Sequence, residues 1–223
     1  MPTNGETTLH ADLKRWYSQP EDLLEESIDN FVIDLVRGGL LVEIQTRNFS
    51  AIRAKLVQLL TSHSVRLVYP IAQEKWIIQR DSSGEIIRRR RSPKHGRIEH
   101  IFNELIYIPN LISDSNFSLE TLLTMQEEEW INDGKGSWRR KGRSIADRRL
   151  LSVQSSRLFS TPQDFRLLIP HELARPFTAN QLGQSLDLTP VLASKMVYCL
   201  RHMGVLEVSG KNKKSNLYIE VNR

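Results

Sequence analysis

Two carboxylates and an amide interrupt an apolar stretch near the start of the chain, FVIDLVRGGLLVEIQT, residues 31–46. They are Asp34, Glu43 and Gln45. An unpaired carboxylate is costly to bury, and two carboxylates held close together repel each other. A divalent cation removes both penalties, and Mg²⁺ prefers the hard oxygens of one or two carboxylates together with water. These residue types therefore predict metal-assisted attack of water on a phosphodiester.

The carboxylates need a hairpin to bring them together. Side chains alternate along a strand, so apolar residues occupy both faces of residues 31–36 and of residues 40–46. This pattern predicts a sheet that is covered on both sides. A turn at RGG makes Asp34 and Glu43 neighbours across the hairpin. The alternative is a surface hairpin whose carboxylates face water.

The surrounding periodicity predicts the elements that hold this hairpin. A first helix is predicted over residues 9–17, ended by Pro20, and an antiparallel meander follows. The next predicted elements are an amphipathic helix over 48–63, a buried strand over 65–71 and a hairpin about SSG over 75–90. Residues 96–112 favour a helix that ends before Pro109, residues 117–131 fit a strand or a helix, and residues 132–151 favour a loop followed by a strand or short helix.

Asp34, eight intervening residues and then Glu43-Ile44-Gln45 resemble the metal site of the PD-(D/E)xK, or restriction-endonuclease-like, nucleases. The order helix, three-strand meander, helix, strand agrees with that family. The resemblance covers roughly residues 9–80 and implies a mixed central sheet flanked by helices. It implies that Asp34 and Glu43 bind Mg²⁺ (or Mn²⁺) and that an acidic residue near the meander joins them. Glu25 and Glu26 are the candidates, and Glu26 is the predicted third ligand.

The sequence departs from this family where a lysine normally assists the attacking water, because Gln45 stands there. A neutral amide holds a water but supplies no positive charge. Some branches of the superfamily place the lysine on the following helix. Lys55, Arg53 and Lys14 are the candidates here. The predicted catalytic set is Asp34, Glu43, Gln45 and Lys55.

Two basic segments predict contact with nucleic-acid phosphates, RRRRSPKHGR at residues 88–97 and KGSWRRKGR at residues 135–143. An unpaired base could stack on the tryptophan of the second segment. The predicted DNA-binding residues there are Arg89, Arg90, Arg91, Lys94, Trp138, Arg139 and Arg140. The alternative is a solvated charged loop, or ion pairing with the glutamates at 127–129.

The C-terminal residues are typical of a winged helix-turn-helix domain. Thr178 is a predicted helix cap, Pro190 opens a second helix that stops at Gly204, and a hairpin with a polar tip follows. Lys195 and Arg201 on the second helix are the predicted DNA contacts. The predicted organisation is a nuclease-like domain over 1–160 with basic insertions, and a winged-helix domain over 161–223.

The totals are those of a soluble globular protein with enough apolar residues for a core of its own, whereas the α/β class is what the order of elements and the resemblance imply. The 223 residues are 39% hydrophobic and 26% charged, with a net charge of +5 and a pI of about 9.4, which favours a polyanionic partner. The single cysteine, Cys199, has apolar neighbours at helical spacing and is predicted to be a core thiol. No signal peptide or membrane-span pattern is present, so the expected compartment is the cytoplasm.

The predicted function is a Mg²⁺-dependent, nuclease-like protein acting on DNA phosphodiesters. RNA and a homodimeric state are left open. The histidines lack zinc-ligand spacing, and the sequence has no phosphate-binding glycine loop or nucleophile elbow. The alternatives are a catalytically inactive nuclease fold that binds DNA or protein, and a winged-helix transcription regulator.

Overall fold

The computed structural model describes residues 7–81 and 84–221. It is an α/β protein with a large mixed sheet flanked by helices, which confirms the predicted class at that level. The first helix, α1 (Thr8–Tyr17), begins after Thr7, whose side chain accepts a hydrogen bond from the backbone of His10. Its buried residues Leu9, Leu13 and Tyr17 face the sheet, so the helix is held by an apolar stripe.

The predicted meander is confirmed as β1 (Leu23–Ile28), β2 (Phe31–Arg37) and β3 (Leu40–Ile44). Each turn consists of two residues with positive φ, Asp29-Asn30 and Gly38-Gly39. Such turns match the twist of antiparallel strands, and Asn, Asp and Gly adopt them at the lowest cost. The local sequence therefore sets the register on which the carboxylates depend.

The helix α2 (Phe49–Leu59) then crosses one face of the sheet and leads to β4 (Val65–Arg80), which runs parallel to β3. The prediction placed one strand over residues 65–71 and the first strand of a hairpin from residue 75, and both belong to the single 16-residue strand β4. It pairs with β5 (Ile86–Arg91) at its far end, and Ser82 and Ser83 of the predicted turn lie outside the described residues. Short helical turns and α3 (Phe102–Leu105) follow, so the helix predicted up to Pro109 ends earlier than expected.

The chain then forms two long strands, β6 (Phe117–Ile131) and β7 (Ser144–Phe159). The sheet order is β1-β2-β3-β4-β6-β7, with β5 paired to β4. At about 3.3 Å per residue β4 is roughly 50 Å long, which exceeds the packed core. We call its projecting part, residues 72–80, 86–91, 124–131 and 144–150, the β-arm.

The C-terminal residues form α4 (Pro162–Arg166), α5 (Ala179–Ser185), α6 (Pro190–His202), β8 (Leu206–Asn212) and β9 (Ser215–Glu220). Thr178 caps α5 and Pro190 opens α6, as predicted. The buried side chains Phe165, Phe177 and Met196 belong to the same apolar cluster as α2, α3 and one face of the sheet. A second cluster lies between α1 and the other face, so the sheet is covered on both sides as predicted.

Candidate active site

The most buried carboxylate of the meander belongs to Glu43, near the end of β3, whose residue is 5% exposed. Its Oε1 accepts a hydrogen bond from Nζ of Lys55 at 2.6 Å. Lys55 lies on α2, which packs over this face of the sheet, and it also donates to the carbonyl of Val32 at 2.6 Å. The structure therefore brings the predicted lysine from the following helix to the predicted metal ligand.

Asp34 lies across the hairpin from Glu43, where the two strands separate. The ladder pairs Val36 with Leu41 and Leu35 with Val42, so one further step sets Asp34 opposite Glu43. There the carboxylate of Asp34 accepts the backbone N–H of Ile44 at 2.8 Å. The carboxylate of Glu43 in turn accepts a hydrogen bond from the backbone of Asp34. Side chains thus replace the ladder at this point and hold the two acids in register.

The same register extends to β1. Leu24 is opposite Leu35 and Glu26 is opposite Ile33, which sets Glu25 beside Asp34. Glu25 has a φ of +56°, and its carboxylate lies 2.7 Å from Nζ of Lys14 on α1. Glu26 is exposed, and in the β1–β2 ladder it lies opposite Ile33, a residue of the apolar core. Of the two candidates for the third acid, Glu25 therefore borders the cavity with Asp34 and Glu43, whereas the predicted Glu26 does not.

One open cavity of about 670 Å³ unites these groups. Its chemistry-bearing lining residues are His10, Lys14, Glu25, Asp34, Glu43, Gln45, Arg47 and Lys55. Nε2 of His10 lies 3.2 Å from Oδ2 of Asp34. Each of the three carboxylates thus has a basic neighbour within 3.2 Å.

The negative charge of Glu43 is not fully compensated, even though Lys55 is in contact with its carboxylate. Burial raises the pKa of the Glu43 carboxyl to about 7; Lys55 opposes this rise, whereas the Asp34 charge adds to it. A carboxyl pKa this far above its usual value, in a residue that borders an open cavity, is typical of functional sites. The cavity therefore contains a buried carboxyl whose charge Lys55 compensates only in part.

Gln45 borders the cavity, but its amide nitrogen is already engaged. Nε2 donates to the carbonyl oxygens of Arg47 at 2.5 Å and Asn48 at 3.3 Å. The amide oxygen is then the side-chain atom able to accept a hydrogen bond from water. Gln45 therefore supports the loop that leads into α2, and Lys55 supplies the positive charge that an amide lacks.

Within residues 7–81 and 84–221, no group of three or more His, Cys, Asp or Glu side chains is arranged to hold a metal ion. Mg²⁺ needs fewer protein ligands than this, because it keeps several waters and binds through one or two carboxylates. Asp34 and Glu43 fit that requirement, with Glu25 nearby. The three carboxylates are hard oxygen donors, which suit a hydrated cation such as Mg²⁺.

The predicted basic residues of β5 separate into two groups. Arg89 lies 3.3 Å from a carboxylate oxygen of Glu127, and Arg91 is paired with Glu74. The guanidinium of Arg90 instead lies 5.7 Å from the centre of the Trp130 ring on the opposite face. Lys94 is exposed after the end of β5.

The second basic segment lies in the loop between β6 and β7. Trp138 is 83% exposed, and Nε of Arg140 donates to the carbonyl of Arg143 at 3.0 Å. The side chain of Arg139 lies outside the described part of the chain. Sequence reasoning missed Arg148 of β7, which borders the same cavity as Arg140 and the neighbouring Arg47. Strand alternation through residues 144–150 would have found it, but that segment was ambiguous from sequence alone.

The C-terminal candidates occupy different surroundings. Nζ of Lys195 donates to Asn103 of α3 at 2.9 Å, which directs it toward the rest of the protein. Arg201 is exposed on α6. Of the predicted pair, Lys195 is therefore engaged within the protein, whereas Arg201 is exposed to solvent. Cys199 is fully buried, and burial raises the pKa of its thiol to about 12, which agrees with a packed core thiol.

Comparisons with known proteins place the cavity within a larger family. A family model described as "Domain of unknown function (DUF8091)" matches residues 7–160. A Treponema pallidum (strain Nichols) protein named "Uncharacterized protein" is 30% identical over 217 residues, which cover 97% of this chain and 86% of that protein. No solved structure matches. Among the described residues, no helix is long and apolar enough to cross a membrane.

Proposed function

The chain belongs to the DUF8091 family of domains of unknown function, and from its cavity we propose that it is a Mg²⁺-dependent nuclease acting on DNA phosphodiesters. The observation that carries the proposal is the convergence of Asp34, Glu43 and Lys55 in one cavity. We also propose that residues 7–160 adopt a restriction-endonuclease-like fold. The meander, the parallel β3–β4 pair and the crossing helix α2 support that assignment.

Asp34 and Glu43 would hold the metal ion. They supply carboxylate oxygens from neighbouring strands, and the raised pKa of Glu43 indicates that its charge lacks full compensation. When bound, Mg²⁺ would lower the pKa of water and neutralise charge on the reacting phosphate. Backbone hydrogen bonds between residues 34, 43 and 44 keep both acids in place without metal. The site is therefore preorganised for a cation.

Lys55 would orient the attacking water and stabilise negative charge on the phosphate. Its ammonium is fixed by two acceptors, Glu43 and the carbonyl of Val32, and it borders the open cavity. Because an ammonium has three donor hydrogens, one remains for a water or a phosphate oxygen. Gln45 would accept a hydrogen bond from water through its amide oxygen, which is a positioning contribution.

We propose a winged-helix fold for residues 178–220. The capped helix α5, the turn, α6 and the β8–β9 hairpin support it, as does the bridge between Phe177 and Tyr218. Lys195 is directed toward Asn103. The candidate DNA contacts of the winged-helix fold are therefore the exposed Arg201 and the tip of the β8–β9 hairpin. Packing of α6 against α3 favours a module that acts together with the sheet over an independent transcription regulator.

The proposed activity is tested by nicking of supercoiled plasmid DNA with Mg²⁺ or Mn²⁺. Asp34→Asn and Glu43→Gln should each abolish nicking, whereas Glu26→Gln, a neighbouring exposed acid outside the cavity, should retain it. Thermal unfolding of all variants checks that the fold is intact. Unchanged nicking by Asp34→Asn or Glu43→Gln would rule out this site. Metal-independent DNA binding without nicking by the natural protein would favour an inactive binding module.

A further inference from the structure

The β-arm continues the edge of the sheet on which the cavity lies. Ile44 at the end of β3 is opposite Val68 of β4, and farther along the same strand Arg90 and Arg88 of β5 are opposite Ile77 and Gln79. The eleven residue-to-residue steps from Val68 to Gln79 span about 36 Å. That distance is about one helical turn of B-form DNA, 34–36 Å.

Alternation gives the β-arm two faces of different character. Opposite residues in the ladder share a face, so Arg88 and Arg90 lie with Gln79 and Ile77. This face continues the side of the sheet that α1 covers, and we call it the groove face. It also carries Lys75, Glu128, Trp130 and Arg148. Arg89 and Arg91 lie on the other side, which we call the outer face.

The outer face neutralises itself. Arg89 pairs with Glu127 at 3.3 Å, Arg80 pairs with Glu129 at 3.0 Å, and Arg91 pairs with Glu74. Arg89 also lies over the ring of Trp76, 4.3 Å from its centre. Each arginine here has a carboxylate partner, so this face offers little unbalanced charge to a polyanion.

The groove face keeps an excess of positive charge. Glu128, its strand carboxylate, already accepts hydrogen bonds from Trp130 at 2.7 Å, Lys75 at 3.0 Å and Arg148 at 3.2 Å. In the described part of the chain, no carboxylate lies within ion-pair distance of Arg88 or Arg90. The loop adds Arg140, Lys141 and Arg143, which border the same cavity as Arg88 and Arg90.

Three cavities join this face to the carboxylate site. The active-site cavity shares Thr7, Thr46 and Arg47 with a second cavity of about 520 Å³. The second shares Arg140 with a third, which Arg88 and Arg90 border. Asp147 borders the second cavity, and its carboxylate lies 3.5 Å from Arg149. Positively charged groups therefore border each of the three neighbouring cavities, from Arg47 through Arg140 to Arg88 and Arg90.

We infer that the groove face of the β-arm binds the phosphate backbone of a DNA segment about one helical turn long, leading into the carboxylate cavity, while the outer face does not contact it. The inference rests on the proposed nuclease function for the identity of the ligand. It goes further in separating Arg88 and Arg90, which bind, from their neighbours Arg89 and Arg91, which do not. The loop residues Arg140 and Arg143 extend the binding path between β-arm and cavity.

Two double variants of the full chain test this separation, Arg88→Gln/Arg90→Gln and Arg89→Gln/Arg91→Gln. Both remove the same charge from one strand but alter opposite faces, and the outer-face variant also breaks the ion pairs with Glu127 and Glu74. Binding of a fluorescent duplex of about 20 base pairs is measured in EDTA over a range of KCl concentrations. The groove-face variant should bind about tenfold more weakly and lose roughly 2 from the salt slope, about 0.9 per phosphate contact. The outer-face variant should match the natural protein.

Equal losses in the two variants, an unchanged groove-face variant, or no DNA binding by the natural protein would each overturn the inference. Thermal unfolding of both variants excludes misfolding as the cause of a loss. Asp34→Asn, measured in EDTA and in the nicking assay, separates this inference from the proposed activity. Loss of nicking with DNA binding retained supports both. If the natural protein never nicks DNA but binds it through the groove face alone, the proposed nuclease activity is refuted and the inferred DNA-binding face is supported.

Discussion

The ammonium of Lys55 lies 2.6 Å from Oε1 of Glu43, although the two residues come from a helix and a strand. The β3–α2 connection makes this contact possible, because Asn48, with a φ of +61°, turns the chain so that α2 crosses back over the sheet. The pair places a fixed cation beside a buried acid in an open cavity. It also makes Lys55 the residue whose replacement best distinguishes a catalytic cavity from a structural ion pair.

Lys55→Met should lower the rate of DNA cleavage by at least about 100-fold, the loss typical of a group that stabilises transition-state charge or transfers a proton. The physical reason is that Gln45 cannot replace the positive charge. The measurement is single-turnover cleavage with Mg²⁺, which separates chemistry from DNA binding. Binding in EDTA should change little. A variant that cleaves normally would show that Lys55 serves the fold alone.

Restoring a lysine at the strand position provides a second test of the same role. The double variant Gln45→Lys/Lys55→Met should recover part of the activity lost in Lys55→Met, because an ammonium returns to the cavity beside Glu43. Gln45→Lys alone checks that the substitution is tolerated, since it removes the hydrogen bonds to the carbonyls of Arg47 and Asn48. No recovery in a folded double variant would indicate that the lysine must come from α2.

Glu43 should make the metal-free protein less stable as the pH rises from about 4.5 to 7. Burial raises its folded-state pKa to about 7, so the folded protein binds more protons than the unfolded chain across that range. Its stabilising contribution is complete below the unfolded pKa and is lost as the pH passes through the folded pKa. The expected loss is about 3 kcal/mol, because a tenfold difference in proton affinity between the folded and unfolded states corresponds to about 1.4 kcal/mol.

Urea unfolding of the natural protein and of Glu43→Gln, at several pH values and with EDTA present, measures this effect. The difference in unfolding free energy between the two proteins isolates residue 43, because all other titrating groups are shared. As the pH rises, Glu43→Gln should become more stable relative to the natural protein. A difference that stays constant from pH 4.5 to 7 would contradict the raised pKa.

The affinity for Mg²⁺ or Mn²⁺ should have the opposite pH dependence. A carboxylate must be ionised to bind metal, so affinity should rise up to about tenfold per pH unit below pH 7 and level off above it. Calorimetric titration across this range measures the affinity directly. Asp34→Asn provides the control and should bind weakly at every pH. Equal affinity at pH 5.5 and pH 8 would show that Glu43 is not a ligand.

The neighbouring acids of β1 allow a matched comparison. Glu25→Gln should weaken metal binding or cleavage, because its carboxylate borders the cavity and neutralises Lys14 there. Glu26→Gln should have no effect, because it shares the register position of Ile33. Metal titration and plasmid nicking of the two variants decide between them. An effect of Glu26→Gln alone would reverse the assignment.

The meander could be predicted because the residues of its two turns determine the turn conformation locally. Asp29-Asn30 and Gly38-Gly39 favour positive φ, and the alternation of the flanking residues then sets Asp34 near Glu43. In the β-arm, the hairpin over residues 75–90 was predicted from the sequence, but strand β6 was not. Residues 117–131 have an ambiguous local pattern, and pairing with β4 and β7, distant along the chain, makes them a strand.

The position of the third acid shows the same limit at a single residue. The sequence offers Glu25 and Glu26 as candidates, and Glu26 was the predicted third ligand. The positive φ of Glu25 and the pairing of Glu26 with Ile33 instead set Glu25 at the cavity. Such a one-residue choice depends on strand register, and a shift of one residue exchanges the faces of a strand.

Phe165 should bind the C-terminal residues to the sheet. Its ring is fully buried and stacks on Phe159 of β7, with ring centres 4.1 Å apart. Phe165→Ala should therefore lower the unfolding free energy of the whole protein by about 3–5 kcal/mol. Leu167→Ala is the matched control, because that side chain is 66% exposed and its truncation should cost little stability.

Urea unfolding followed by both far-UV circular dichroism and tryptophan fluorescence should give one coincident transition, since residues 162–220 and the sheet share a core. Two separate transitions, with Phe165→Ala shifting one of them alone, would instead show that the C-terminal residues unfold as an independent unit.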